Sequence, residues 1–293
     1  MKNVRKQLKD LTIRDNFLFA AVMMQEDNCK RFLEILLGIE IDRIEISYEK
    51  SIVYNPEFKG VRLDVYARDE DNTRYDIEMQ VAVEHLGKRI RYYHSQMDMD
   101  LLVSGHDYEE LPKTYVIFIC DFDPFGLGRY CYTFRSQCLE EPGAELGDGA
   151  QSIILSTRGK HPERISSELE AFLSFVRTDG KVTHQGEEDP FVKRLQETIH
   201  RIKNSREMER RYMYLEDLLR HERKQAMAEG EARGILETRR NDILELLEEL
   251  GEIPDSLRER ILSEKDADRL KHMLKMTSKV QSIEAFEKLL ADL

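Results

Sequence analysis

Gly60–Gln80 reads GVRLDVYARDEDNTRYDIEMQ, two alternating stretches around a polar turn. Over Val61–Ala67 the apolar Val61, Leu63, Val65 and Ala67 alternate with Arg62, Asp64 and Tyr66. Over Arg74–Val81 the apolar Tyr75, Ile77, Met79 and Val81 alternate with Arg74, Asp76, Glu78 and Gln80. Successive strand residues point to opposite faces, so each stretch is expected to be a strand with one core face and one polar face. Paired as a hairpin with the core faces aligned, the strands set Asp64 across from Glu78 and Arg62 across from Gln80. That alignment requires an odd-numbered loop or a bulge, because a two-residue turn at Asp71-Asn72 would oppose Asp64 to Met79. Two carboxylates on rigid strands, with an amide two residues further on, suit a hard divalent cation, which takes oxygen ligands from one or two carboxylates plus water.

An Asp on one strand followed by Glu-x-Gln on the next resembles the PD-(D/E)xK nuclease superfamily. GVRLDVYA, YDIEMQ, KRIRYYHSQMD and YVIFICDFDPFG are similar to its Rpn branch of recombination-promoting nucleases and transposases. The similarity spans roughly the first 180 residues, a domain-sized block. It implies an α/β fold with a restriction-endonuclease-like core, a mixed sheet flanked by helices, and an α-helical C-terminal extension. It also implies a metal-dependent DNA endonuclease associated with recombination or transposition. Asp64 and Glu78 would hold Mg²⁺ (Mn²⁺ or Ca²⁺ in its place), with the backbone carbonyl of Met79 as a further oxygen and Gln80 as the third catalytic position. The chain departs from the superfamily pattern twice: Leu63 stands where Pro is usual, and Gln80 where Lys is usual. A neutral amide orients a water but supplies no charge. Lys88 or Arg89, about two helical turns further on, is expected to provide it. On this reading a lysine restored at position 80 keeps or raises activity. The alternative is a DNA-binding or assembly protein that kept the fold and lost efficient cleavage.

Asp15, ahead of a predicted helix with apolar Phe17, Leu18, Ala21 and Val22, has two readings: a helix cap, or, as the resemblance implies, a further acidic metal ligand. Glu49 is a weaker candidate for the same role. A second helix runs to Gly38, a strand over Ile44–Tyr54 is broken by Asn55-Pro56, and a helix over Glu84–Ser104 turns Leu86, Ile90, Tyr93, Met97 and Leu101 to the sheet. Beside that face Arg89, Tyr92 and Gln96 share a stripe flanked by Lys88 and Arg91. With Arg62 they form the expected DNA contact. Thr114–Cys120 is a continuous apolar run expected of a strand buried on both faces, and Asp121–Pro124 a structural turn. Two more strands follow at Gly128–Phe134 and Ser152–Ser156, then a helix over Pro162–Val176.

The expected division is a nuclease-like domain over 1–178, a polar linker over 179–189 and a helical region over 190–293. Asp189-Pro190 opens a helix continuing to about Glu231. Its stripes Leu195/Ile199/Ile202 and Met208/Tyr212/Leu215/Leu219 predict a homodimer through Pro190–Leu219. Short helices are expected at Asn241–Leu250, Ser256–Leu262, Ala267–Met276 and Ile283–Leu290. Lys193–Lys224 carries ten Lys/Arg against six Asp/Glu, whereas the whole chain is at -12, which argues against indiscriminate coating of nucleic acid. Cys29, Cys120, Cys131 and Cys138 lack Cys-x-x-Cys spacing and read as free thiols in a reducing cytoplasm. No apolar run is long enough to span a bilayer, and Met1–Arg5 leads into charge with no signal-peptide pattern. No phosphate-binding Gly-rich loop, nucleophile elbow or His-Glu-x-x-His occurs, so no organic cofactor is expected.

Overall fold

The hairpin forms in the register that the faces demanded. The computed structural model describes residues 6–52, 61–83, 85–181 and 189–291, with side chains for all of these but 48–52 and 61–62. Strands β1 (Ile44–Ile52), β2 (Val61–Asp69) and β3 (Arg74–Gln80) form an antiparallel meander. Pairing from Val65↔Ile77 to Arg68↔Arg74 leaves the odd-numbered loop Asp69–Thr73. Asn72 takes its left-handed position (φ 65°), and the Thr73 N–H donates to Asp69 Oδ1 at 2.8 Å. Beyond β3 the chain crosses over through a 16-residue helix, Leu86–Leu101, into the parallel strand β4 (Thr114–Cys120). Strands β5 (Cys131–Phe134) and β6 (Ala150–Ser156) complete a six-stranded sheet in the order β1-β2-β3-β4-β6-β5.

The helices ahead of the sheet are α1 (Asn16–Met23) and α2 (Glu26–Leu37), the latter ended by Gly38 at φ 67°. The crossover helix Leu86–Leu101 is α3, and Ser167–Arg177 is α4. Helix α1 lies against β2 and β3, and α2 against β1. Leu86, Ile90, Tyr93 and Met97 of α3 share a core with Val116, Phe118 and Cys120 of β4. Those β4 residues are the register partners of Asp76, Glu78 and Gln80. The face read from the sequence as polar is therefore covered: Asp76, Glu78 and Gln80 are all buried, and so are Tyr75, Ile77 and Met79 on the other side. β3 is a central strand beneath its own crossover helix, and such strands are enclosed on both faces. Val81, expected in the core row, lies past the strand and is exposed.

The two aspartates after β4 act as the expected turn. Asp121 accepts from Thr157 and Arg158 and pairs with Arg14, while Asp123 accepts from the Gly128 N–H and the Tyr132 hydroxyl. The expected break at Asn55-Pro56, residues 182–188 of the linker, Met1–Arg5, and the side chains of Glu49, Val61 and Arg62 lie outside the described residues.

The helix opened by Asp189 is shorter than its periodicity suggested. Asp189 Oδ1 caps α5 (Pro190–Lys203) by accepting from the Phe191 and Val192 N–H groups at 2.9 Å each. The chain stops at Asn204 and restarts from Ser205 into α6, a 43-residue helix over Arg206–Glu248 that passes through Gly230 and Gly234 and absorbs most of the helix expected at Asn241–Leu250. Phe191, Val192, Leu195 and Ile202 are buried, because α5 packs on α1, α2 and α4 of its own chain. Tyr212, from the second stripe, packs on Phe17 with ring centroids 5.1 Å apart. The compact unit accordingly continues past the expected boundary, to Tyr212. A second unit, Met213–Leu293, has its own core. There the end of α6 packs with α7 (Asp255–Ser263), α8 (Ala267–Thr277) and α9 (Ile283–Ala291) around Ile243, Leu247, Ile261, Leu270 and Phe286.

This packing makes α5 part of the sheet domain's stability. Leu195→Ala, at a side chain 0% exposed, is expected to cost about 2–5 kcal/mol in chemical denaturation. A chain ended at Asp189 should melt well below one ended at Tyr212; equal melting temperatures would contradict the packing.

Candidate active site

Continuing the β2–β3 register by one pair sets Asp64 opposite Glu78. The ladder gives way to side chain there: the Asp64 backbone N–H donates to Glu78 Oε1 at 3.0 Å. The other Glu78 oxygen accepts from Arg89 Nη2 at 2.8 Å. Asp64 is half-buried, and its Oδ2 accepts from the Asn16 side-chain amide of α1 at 3.2 Å. Both carboxylates are thus held by groups from a different element.

Arg89 reaches down from α3 into this buried row. Its Nη1 donates to Gln80 Oε1 at 3.0 Å and its Nε to the Tyr93 hydroxyl at 2.8 Å. Its guanidinium carbon sits 5.1 Å from the ring centroids of both Tyr93 and Phe118. Gln80 is held at both ends of its amide: its Nε2 donates to the Ala82 carbonyl at 2.7 Å while Oε1 receives Arg89. In this arrangement the Gln80 amide fixes an arginine.

Asp76 is a further member of the row, one to which the sequence assigned no role. It is 0% exposed, and neither carboxyl oxygen makes a well-formed hydrogen bond among the described residues. Burial first, then the charges of Glu78 and Asp64, hold its carboxyl well above the usual carboxylate range. Burial also pushes Glu78 up to about 8, with Asp64 adding to it; the Asp64 N–H and Arg89 pull the other way.

Among the described residues no three Asp, Glu, His or Cys side chains converge as a metal cage. The oxygen pair Asp64/Glu78 fits a sparser arrangement, in which Mg²⁺ takes one or two carboxylates and keeps most of its waters. The charge of Asp64 raises the Glu78 carboxyl, so a cation shared by the two would relieve a repulsion already present.

A family model described as PD-(D/E)XK nuclease family transposase matches residues 15–230. The chain belongs to that family. Neither the curated proteins nor the solved structures gave a match. The span matched by the family model takes in Asn16, Asp64, Asp76, Glu78, Gln80 and Arg89 together, and extends through α5 into α6.

The remaining expected site residues of this nuclease-family chain are dispersed. Asp15 stands at the N-cap position of α1, but its carboxylate turns back to the Thr12 N–H at 2.6 Å and to Lys6 at 3.0 Å. Its neighbour Asn16 is the residue of α1 that reaches Asp64. On α3, Lys88 and Arg91 are exposed, Tyr92 is half-buried against the core, and Gln96 is buried. Gln96 therefore lies too deep for the DNA-contact role it was expected to share. Asn16 and Asp76 left one legible signal each: adjacency to the acid at a helix's N-cap position, and the same parity as Glu78 on one strand.

The raised carboxyls have a consequence for stability. Asp76 and Glu78 keep protons in the folded chain at pH values where the unfolded chain has lost them, so their contribution is complete below the ordinary carboxylate range. It is lost as pH rises toward about 8, a tenfold difference in proton affinity between the two states being worth roughly 1.4 kcal/mol. In chelator, the melting temperature should fall between about pH 5 and pH 8.5. Asp76→Asn, which removes an ionisation that burial opposes, should be more stable than wild type at the alkaline end. A flat profile, or an Asp76→Asn variant weaker than wild type at alkaline pH, would contradict the assignment.

Proposed function

We propose that the chain is a divalent-metal-dependent DNA endonuclease that hydrolyses phosphodiester bonds in the service of recombination or transposition, in the cytoplasm. One observation supports the reading: Asp64 and Glu78 stand opposite one another on adjacent strands, with the Asp64 N–H on one Glu78 oxygen and the Arg89 guanidinium on the other. Asp64, Glu78 and the backbone carbonyl of Met79 would hold Mg²⁺, with Mn²⁺ or Ca²⁺ as substitutes. Such an ion supplies Lewis-acid charge and a more acidic water than bulk solvent offers. The chain's own part is positional. Asn16 orients Asp64, the Asp64 N–H and Arg89 fix the two Glu78 oxygens, and exposed Lys88 and Arg91 would neutralise phosphates alongside.

Plasmid cleavage in Mg²⁺, Mn²⁺ and Ca²⁺ tests the reading. Asp64→Asn is expected to abolish metal-dependent cleavage without lowering the melting temperature; Glu78→Gln should abolish it too, with some loss of stability because it also breaks the Arg89 pair. Full activity in either variant would move the site elsewhere. Wild-type protein that binds DNA and does not cut it would favour the assembly-protein alternative.

The homodimer rests on α6 alone once α5 is accounted for within the chain. Tyr214 and Leu218, one turn apart on that helix, are exposed, an apolar pair suited to a second copy. Light scattering on the full chain should give twice its 34.5 kDa, and a monomer at micromolar concentration would remove the proposal.

A further inference from the structure

The geometry points to Arg89 as the cation that faces the scissile phosphate, with Gln80 as the residue that positions it, so that the two together stand in for a single strand-borne lysine. The inference rests on the endonuclease reading above and assigns the charge which that reading leaves open. Of the two cations weighed for this role, Lys88 is exposed and has no described contact to the acidic row, whereas Arg89 touches its Glu78 and Gln80. The guanidinium is fixed from three sides: by Glu78 at 2.8 Å, Gln80 at 3.0 Å and the Tyr93 hydroxyl at 2.8 Å. The side chain is 31% exposed beside a Glu78 side chain at 2%, and the three contacts use one N–H on each guanidinium nitrogen, out of the five that the group carries. A preorganised cation of this kind stabilises negative charge developing on phosphate oxygens without having to reorganise during the reaction.

Gln80 then has a specific reason to be neutral. Its carbonyl oxygen is the acceptor for Arg89, and its amide is tethered to the Ala82 carbonyl, in a position only 7% exposed. An ammonium at position 80 would lose that acceptor and bring a second positive charge against the guanidinium. This pairing runs against the expectation, drawn from the superfamily pattern, that a lysine restored there is tolerated: Gln80→Lys alone should be harmful, and removal of the Arg89 charge should relieve it.

Four variants decide the matter: Arg89→Gln, Arg89→Lys, Gln80→Lys and the double variant Gln80→Lys/Arg89→Gln. Each is assayed for DNA cleavage, melting temperature and Mn²⁺ affinity, with Asp64→Asn as the inactive control. Arg89→Gln is expected to lose about 100-fold or more in kcat, the scale of removing one preorganised donor. Gln80→Lys should lose activity as well. The double variant should recover most of the loss, and Arg89→Lys part of it, with Mn²⁺ binding retained in both. The two cation-bearing variants keep the test decisive if Arg89→Gln fails to fold. Gln80→Lys as active as wild type, or a double variant no better than the worse single, would overturn the pairing while leaving the nuclease reading intact. Wild-type cleavage that Asp64→Asn does not diminish would overturn both.

Discussion

A row of acidic and amide side chains buried between a sheet and a helix needs a counter-charge, and here it comes from the helix that does the burying. Asp76, Glu78 and Gln80 lie on the enclosed face of β3, and Arg89 descends from α3 to meet two of them. Covering that row with an apolar helix alone would leave a carboxylate desolvated and unpaired, a costly arrangement. The crossover helix therefore has two jobs tied to one another. Its apolar stripe closes the core with β4, and one arginine beside the stripe makes that closure compatible with an acidic strand. Burial favours the neutral form of Asp76, so the guanidinium answers chiefly to Glu78 whenever that carboxyl is ionised.

The site is asymmetric in what holds it. Asp64 is half-buried on the outer strand of the pair and is oriented from α1, through Asn16. Glu78 is deep and held from both sides. Helix α1 is in turn seated by α5, so the orientation of Asp64 depends on a helix far along the chain.

Much of this was legible in the residues, and what was not has physical reasons. The hairpin register could be deduced because side chains alternate with period two: only an odd-numbered loop keeps Asp64 and Glu78 on one face, and Asp69–Thr73 is such a loop. The burial of that face was not legible. Alternation separates two faces without saying what covers either, and β3 reads like a half-exposed strand although its crossover helix encloses it. The α5 stripe was visible, but an apolar stripe does not state whether its partner is the same chain or a second one. Asn204-Ser205 was a stop-and-start signal, C-cap and N-cap types in succession, hidden inside a run whose helical periodicity continued on both sides. Arg89 stood out as charge, yet only the direction of the α3 face distinguished it from Lys88 and Arg91.

The central claim is that Asp64 and Glu78 share one divalent cation. Crystals grown with Mn²⁺ and measured at its absorption edge test it most directly. The account predicts an anomalous peak about 2.1 Å from an oxygen of each carboxylate, with Arg89 beside it and not in its place. A peak at the Asp121–Asp123 turn instead, or none at either carboxylate in millimolar Mn²⁺, would contradict it.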